Sequence, residues 1–211
     1  MSSLDIYNLH PLIIDKFGID AFKILDPKFR EIVGRSAKFI GQGGEGFVYL
    51  FDNTVNKVIF NWFGNRNINY TYKFLKKLDT NNRTTIYPFK VSRIKSDIDL
   101  LLIQYSYEKS IPYNGGHPHQ LIKFASEAHQ CGFIYTNIKY DNFRNVNSNI
   151  KLIDYGCAML PYNDESFEKM IKRLYLICYH SKNSNLNNML KFYLVDDGFS
   201  KFKKQISKSL F

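Results

Sequence analysis

A cluster of glycines is the feature of this sequence best suited to hold an anion. The run GQGGEGFV covers residues 41–48 and lies between two strand-like segments. Glycines there let the backbone approach phosphate oxygens and present its N–H groups without obstruction by side chains. A dinucleotide fingerprint would need a helix after the loop, and a strand-like segment follows instead. The pattern therefore favours a phosphate-binding loop, with a simple hairpin turn as the alternative.

Lys57 is the second candidate for phosphate chemistry. It stands in the strand-like run Asn56-Lys57-Val58-Ile59. A lysine among apolar neighbours is unusual unless it has an anionic partner, because burying an unpaired charge is costly. An edge-strand lysine that points to solvent is the alternative interpretation.

Two further motifs lie in the second half of the chain. YTNIKYDN covers residues 135–142, and DYG covers residues 154–156 at the end of another strand-like run. In this order, the four features resemble the ATP site of protein kinases, whose catalytic loop reads H-R-D-L-x-x-x-N and whose metal-binding motif reads D-F-G. The resemblance spans about residues 39–158. It implies an α+β, bilobal protein-kinase-like fold with an antiparallel-sheet N-lobe and a truncated helical C-lobe.

The resemblance implies a role for each matching residue in the first half. Gly41, Gly43 and Gly46 would cover the triphosphate of ATP. Val48 would lie over the adenine ring, and backbone groups near Gln104 to Ser106 would pair with the adenine edge.

The resemblance also implies which residues handle the phosphates and Mg²⁺. Lys57 would contact the α- and β-phosphates, and Lys139 would steady the γ-phosphate. Asn142 and Asp154 would be the metal ligands. Asn137 stands where the family has its catalytic aspartate.

Asn137 is the most important departure from the family pattern. An amide can accept a hydrogen bond from a substrate hydroxyl but cannot take its proton, and loss of a general base typically costs about 10²–10⁴ in rate. Asn137 is either native, as in a pseudokinase, or a nearly isosteric Asp-to-Asn change that disables an active kinase. The sequence leaves both origins open.

Two other departures concern the partners of the site. The helix after the third strand should carry a glutamate that pairs with Lys57, yet residues 65–78 contain no acidic residue and Thr71 takes the expected place. Lys57 is then positioned by the nucleotide and the D-Y-G aspartate, or by a residue elsewhere. Tyr135 and Thr136 replace the His and Arg of the catalytic loop, so regulation by a phosphorylated activation segment is not expected.

The elements that must position these residues follow from apolar periodicity. Strands are predicted over residues 38–40, 46–51, 55–60, 87–94 and 100–105, and helices over residues 67–78 and 120–130. Two later helices are predicted from apolar stripes, which are Phe167, Met170, Ile171, Leu174, Ile177 and Cys178 in one and Phe199, Phe202 and Ile206 in the other.

The chain is expected to fold in three parts. Residues 1–36 form a helical extension, in which Asp26-Pro27 supplies the N-cap and the first helical position. Residues 37–106 form the N-lobe, and residues 107–211 form a minimal C-lobe without most of the peptide-binding subdomain. This layout resembles the small kinases found among bacterial secreted effectors and viral kinase-like proteins.

Composition limits the partners and the compartment. The 29 Lys and Arg against 19 Asp and Glu give a formal net charge of +10, which favours an acidic partner such as a nucleotide, an acidic protein face or an anionic membrane surface. No nucleic acid partner is expected. Cys131, Cys157 and Cys178 lack metal-site or disulfide spacing, so buried thiols in a reducing compartment are predicted. The first thirty residues show neither a signal peptide nor a membrane span, so a cytoplasmic protein is expected, in a host cell's cytoplasm if it is an effector. A monomer is also expected.

Three functions remain open at this point. The first is an ATP- and magnesium-dependent protein kinase of minimal size acting on Ser or Thr. The second is a nucleotide-binding pseudokinase that regulates or scaffolds a partner protein. The third is a small-molecule kinase, which is less favoured because the complete glycine pattern of residues 41–48 is more typical of protein kinases.

Overall fold

The computed structural model describes residues 21–43, 45–60, 67–95, 99–179 and 197–210. Within these residues the protein is α+β, with five α-helices and a five-stranded antiparallel sheet. Its internal contacts divide it into two units. The first unit runs to residue 76 and resumes over residues 89–107, and the second takes in residues 77–88 and those from 108 onward. Residues 77–88, which the sequence assigned to the N-lobe, therefore group with the second unit.

The first unit is built on the five-stranded sheet. Its strands are β1 (Lys38–Gly43), β2 (Gly46–Phe51), β3 (Thr54–Phe60), β4 (Phe89–Lys95) and β5 (Asp99–Ser106), in the spatial order β1-β2-β3-β5-β4. All five strands were predicted. Asp52 and Asn53 form the turn between β2 and β3 with φ values of 46° and 56°. Residues of these two types tolerate this left-handed conformation, which the twist of a two-residue hairpin requires.

Helix α1 (Ala21–Val33) covers one face of this sheet. Leu25 and Phe29 are buried there against Phe47 and Val58. The predicted helix start at Asp26-Pro27 is wrong, because Pro27 lies inside the helix.

Tertiary contacts explain why Asp26 does not cap a helix. Its carboxylate instead accepts hydrogen bonds from Arg30 Nε at 2.7 Å and from Tyr49 Oη at 3.0 Å. Pro27 removes one helical hydrogen bond, and burial of the neighbouring apolar residues offsets that loss. A local capping signal is thus overridden by packing on the sheet.

Helix α2 (Ile68–Leu75) connects β3 to β4 and is shorter than predicted. Asn67 caps it, since its side chain accepts a hydrogen bond from the N–H of Tyr70 at 3.0 Å. Ile68, Thr71 and Leu75 are its buried residues.

The second unit is mainly helical. Its helices are α3 (Pro118–Gln130), α4 (Asp164–Tyr179) and α5 (Asp197–Ser209). Its short strands are β6 (Ile111–Pro112), β7 (Phe133–Tyr135), β8 (Phe143–Val146), β9 (Asn149–Leu152) and β10 (Met159–Pro161). The predicted apolar stripes of α4 and α5 are confirmed as buried. No helix in the described part of the chain is long and apolar enough to cross a membrane.

A buried carboxylate fixes residues 77–88 to α3 within the second unit. Glu127 is 6% exposed and accepts hydrogen bonds from both the backbone N–H and the hydroxyl of Thr84 and Thr85, at 2.5–3.1 Å. Next to these threonines, Ile86 forms a parallel bridge with Leu152 at the end of β9. Glu127 therefore anchors the segment that lies beside the D-Y-G motif.

Candidate functional site

The glycine cluster forms the β1–β2 hairpin, as a strand-loop-strand pattern requires. Gly43 pairs with Gly46 across it. A Cβ at residue 46 would lie 1.9 Å from the carbonyl oxygen of Val58, so only glycine fits there. A Cβ at Gly41 or Gly43 would meet no heavy atom within 4 Å. Packing therefore requires glycine at position 46, whereas a side chain at position 41 or 43 would enter open space.

Sheet register places Gly41, Val48 and Lys57 in one row. Gly41 pairs with Val48, Val48 with Lys57, and Lys57 with Ile103. Residues directly opposite each other project to the same face of a sheet. Because side chains alternate along β3, this face is opposite to that of Val58, which packs with α1.

Lys57 has its anionic partner in the glycine hairpin. Lys57 Nζ lies 3.4 Å from Glu45 Oε2, and the Lys57 side chain is only 6% exposed. The alternative of a solvent-facing edge lysine is wrong, since β3 lies between β2 and β5. Thr71 occupies the helix position where a glutamate was expected and is buried in α2. A carboxylate from elsewhere in the chain therefore pairs with Lys57.

The register of Gln104 needs a correction. Its backbone lies within the sheet, opposite Asn56 of β3 on one side and Lys90 of β4 on the other. Its side chain donates to Asn56 Oδ1 at 2.8 Å. Because two strands flank it, the backbone of Gln104 belongs to the sheet ladder. The pairing of β4 with β5 ends at Tyr105, so Ser106, at the other end of the predicted range, is opposite Thr54 of β3 and stays a predicted partner of the adenine edge.

The loop that carries Asn137 follows strand β7. Asn137 and Lys139 are exposed, and a 3₁₀ turn over Tyr140–Asn142 closes the loop. Asn142 is buried, and its Nδ2 donates to the backbone oxygen of Asn137 at 2.7 Å. The base position and the predicted metal ligand are therefore linked directly.

A buried phenol joins the two predicted metal ligands. Tyr135 is fully buried, and its hydroxyl donates to Asp154 Oδ2 at 2.8 Å. The same hydroxyl accepts from Asn142 Nδ2, also at 2.8 Å. Asn142 Nδ2 donates to the hydroxyl of Tyr135 and to the carbonyl of Asn137, so this atom is the amide nitrogen. The Oδ1 atom of Asn142 is therefore the side-chain atom that acts as an acceptor.

This role of Tyr135 was not predicted from the sequence, in which the residue only replaces the histidine of the family's catalytic loop. Tyr135 ends a three-residue strand that pairs with β10, and its N–H contacts Met170 Sδ at 3.2 Å. Its ring lies edge-on to Phe143. The only signal in the sequence is a hydroxyl-bearing aromatic directly after two apolar residues, which does not say what the hydroxyl contacts.

The D-Y-G motif is fixed by a second buried phenol. Tyr155 is fully buried, donates from its hydroxyl to the carbonyl of Leu152 at 2.8 Å, and accepts from the N–H of Tyr87 at 2.7 Å. The N–H of Ile153 donates to the carbonyl of Asn142 at 3.0 Å. These contacts fix the segment that carries Asp154 relative to Asn142.

The donor set fits a hard divalent cation. Asn142 Oδ1 and the Asp154 carboxylate are oxygen ligands of the kind Mg²⁺ prefers, and Mg²⁺ usually takes one or two protein carboxylates with phosphates and water. Among the residues that the structure describes, no three His, Cys, Asp or Glu side chains come together as a metal cluster.

The three cysteines are free thiols. Cys178 is buried, and that burial raises its pKa to about 12. Cys131 and Cys157 are only partly buried, so the prediction of buried thiols is confirmed for Cys178 and wrong for the other two.

Comparison with known proteins does not assign this chain to a family. No protein-family model matches the chain, and no curated protein does.

Proposed function

We propose that this chain is a minimal ATP- and magnesium-dependent protein kinase in which Asn137 occupies the base position. The observation that carries the proposal is the hydrogen-bond chain from the Asn137 carbonyl through Asn142 and Tyr135 to Asp154. It holds one amide and one carboxylate, whose oxygens are the kind of hard ligand that Mg²⁺ takes, next to an exposed loop.

The first unit supports the phosphate half of the proposal. Gly41 and Gly43 are glycines that packing does not require, with open space where a side chain would stand, and Lys57 shares a sheet row with Gly41. Backbone N–H groups and an ammonium are the usual phosphate donors. When ATP binds, Lys57 would exchange its contact with Glu45 for a phosphate oxygen.

The second unit supplies the residues that would hold the metal and the acceptor. Asn142 and Asp154 would bind Mg²⁺, which neutralises charge on the phosphates. Lys139 is exposed at the start of the 3₁₀ turn and would bind the γ-phosphate. Asn137 would orient a substrate hydroxyl as a hydrogen-bond acceptor without taking its proton.

Asn137 also favours a second candidate, a nucleotide-binding pseudokinase. Its exposed amide cannot act as a general base, so binding without transfer is the expected outcome if Asn137 is native. The two candidates share the binding site and differ only in whether an aspartate restores chemistry. A single substitution therefore separates them.

The decisive experiment measures ATP binding and phosphotransfer in parallel. Calorimetry with ATP and Mg²⁺ is run on the wild type, on Lys57→Met and on Asp154→Asn, and transfer from γ-labelled ATP to lysate proteins is run on the wild type and on Asn137→Asp. We expect the wild type to bind ATP and the Lys57→Met and Asp154→Asn variants to lose that binding. Asn137→Asp should transfer phosphate about 10²–10⁴ times faster than the wild type. Binding with no transfer by Asn137→Asp would favour the pseudokinase. Absence of binding by the folded wild type would overturn both.

A further inference from the structure

Tyr135 stands at the centre of the predicted metal site without being one of its ligands. Its hydroxyl uses both of its capacities, donating to Asp154 and accepting from Asn142. A phenol is one of the few buried side chains that can do both with one atom. Each partner is a predicted ligand, so the hydroxyl sets the separation and orientation of the pair.

We infer that Tyr135 is a positioning residue for Mg²⁺, holding the Asp154 carboxylate and the Asn142 amide in the arrangement that binds the cation. This inference rests on the proposed function. The donated hydrogen bond fixes one carboxylate oxygen and leaves the carboxylate's charge for the metal. The accepted hydrogen bond fixes the amide nitrogen, so that Oδ1 is the atom available as a ligand.

The surroundings of Tyr135 make the hydroxyl rigid. The residue is fully buried, its backbone is paired with Met159 of β10, and its N–H meets Met170 Sδ. The carbonyl of Asn137 holds the second hydrogen of the Asn142 amide at 2.7 Å. A metal ligand supported in this way loses little freedom on binding, which is how outer residues raise metal affinity.

Tyr113 offers a matched control in the same unit. It is fully buried, and its hydroxyl donates to the backbone carbonyls of Gly116 at 2.7 Å and Ile177 at 3.4 Å. Changing either tyrosine to phenylalanine removes one buried hydroxyl and keeps the ring. Only Tyr135 touches the predicted ligands.

The test is the magnesium dependence of ATP binding by the full chain, measured by calorimetry for the wild type, Tyr135→Phe and Tyr113→Phe. We expect the half-saturating Mg²⁺ concentration to rise about 10–100-fold in Tyr135→Phe. ATP binding in EDTA should stay within about 2-fold of the wild type, because the phosphate donors of the first unit are untouched. Tyr113→Phe should match the wild type in both measurements.

The outcomes separate the inference from the proposed function. If both variants bind ATP with the same magnesium dependence, the positioning role alone is overturned. A loss of ATP affinity in Tyr135→Phe that is equal with and without Mg²⁺ overturns it as well. A wild type that binds no ATP overturns the proposed function and this role together.

A measurement on the wild type covers the case in which Tyr135→Phe does not fold. In protein with ¹³C-labelled tyrosine rings, the Tyr135 signal should differ between ATP with Mg²⁺ and ATP in EDTA, while the Tyr113 signal stays in place. A Tyr135 signal that is the same in both conditions, when ATP is bound, contradicts the positioning role.

Discussion

The two units hold their candidate site residues by different means. In the first unit, strand register places Gly41, Val48 and Lys57 in one row of a five-stranded sheet. In the second unit, Asn142 and Asp154 lie outside the strands and are joined through the hydroxyl of Tyr135. A site placed by backbone pairing should tolerate most side-chain changes, whereas a site placed by side-chain hydrogen bonds should depend on each partner.

The largest effect should come from the backbone of the first unit. Gly46→Ala would place a Cβ 1.9 Å from the carbonyl of Val58, and the β2–β3 pairing must shift to accept it. We expect a loss of about 3 kcal/mol in the free energy of unfolding, measured by urea denaturation.

Gly41→Ala is the control for this prediction, because a Cβ there meets nothing within 4 Å. Its effect on the free energy of unfolding should stay within about 0.5 kcal/mol. Similar losses in the two variants would mean that the hairpin does not hold the sheet in the register described, and the comparison between the units would fail on the side of the first unit.

The second prediction concerns the side-chain network of the second unit. Glu127→Gln replaces one carboxylate oxygen by an amide nitrogen that faces the N–H and hydroxyl donors of Thr84 and Thr85. Hydrogen bonds to a charged group are each worth about 1.5–3 kcal/mol, so we expect thermal or urea unfolding to show a loss of about 2 kcal/mol.

Glu165→Gln is the matched control on the exposed surface of α4. The Glu165 side chain is 80% exposed and pairs with Lys169 one turn away, and such pairs contribute little. A Glu127→Gln variant as stable as Glu165→Gln would show that residues 77–88 do not depend on this carboxylate. The second unit would then rely on backbone pairing as the first unit does.

The smallest effect is expected for the ion pair between Glu45 and Lys57 in the first unit. A double-mutant cycle with Glu45→Gln and Lys57→Met should give a coupling energy of about 1 kcal/mol in urea unfolding, because Lys57 is nearly buried and Glu45 partly so. The coupling should be well below the Glu127 effect, since strand register already places Lys57.

The exposed pair Glu165–Lys169 serves as the reference cycle, for which we expect only the weak coupling typical of solvent-screened pairs one helical turn apart. Coupling between Glu45 and Lys57 no larger than this reference would leave Lys57 positioned by the sheet alone. Coupling as large as the Glu127 effect would remove the difference between the two units.

Most secondary structure followed from the sequence, and particular residues show why. Asp52 and Asn53 tolerate the left-handed turn between β2 and β3, and the apolar stripe of α4 fixes its buried face. The helix start at Asp26-Pro27 failed because Asp26 is used by Arg30 and Tyr49. Tyr49 is 23 residues away in the chain, beyond any local pattern.

The candidate site was predictable only in part. The motifs located the glycine hairpin, Lys57, Asn142 and Asp154, but not the residues that hold them. The sequence also did not show that the backbone of Gln104 lies between two strands, because the residue at which β5 loses its second neighbour depends on its pairing with β4.

The sequence by itself determined the five strands of the large sheet, the approximate positions of helices α2 to α5 and the residue types at each motif, since these depend on backbone preferences and apolar spacing over a few residues. The tertiary structure alone decided that Glu45 pairs with Lys57 and that the hydroxyl of Tyr135 joins Asn142 to Asp154. These contacts join residues 7 to 19 positions apart in the chain, beyond the spacing of neighbouring turns that local patterns describe. A buried polar group must find a hydrogen-bond partner, but which partner it finds depends on which segments the fold brings together.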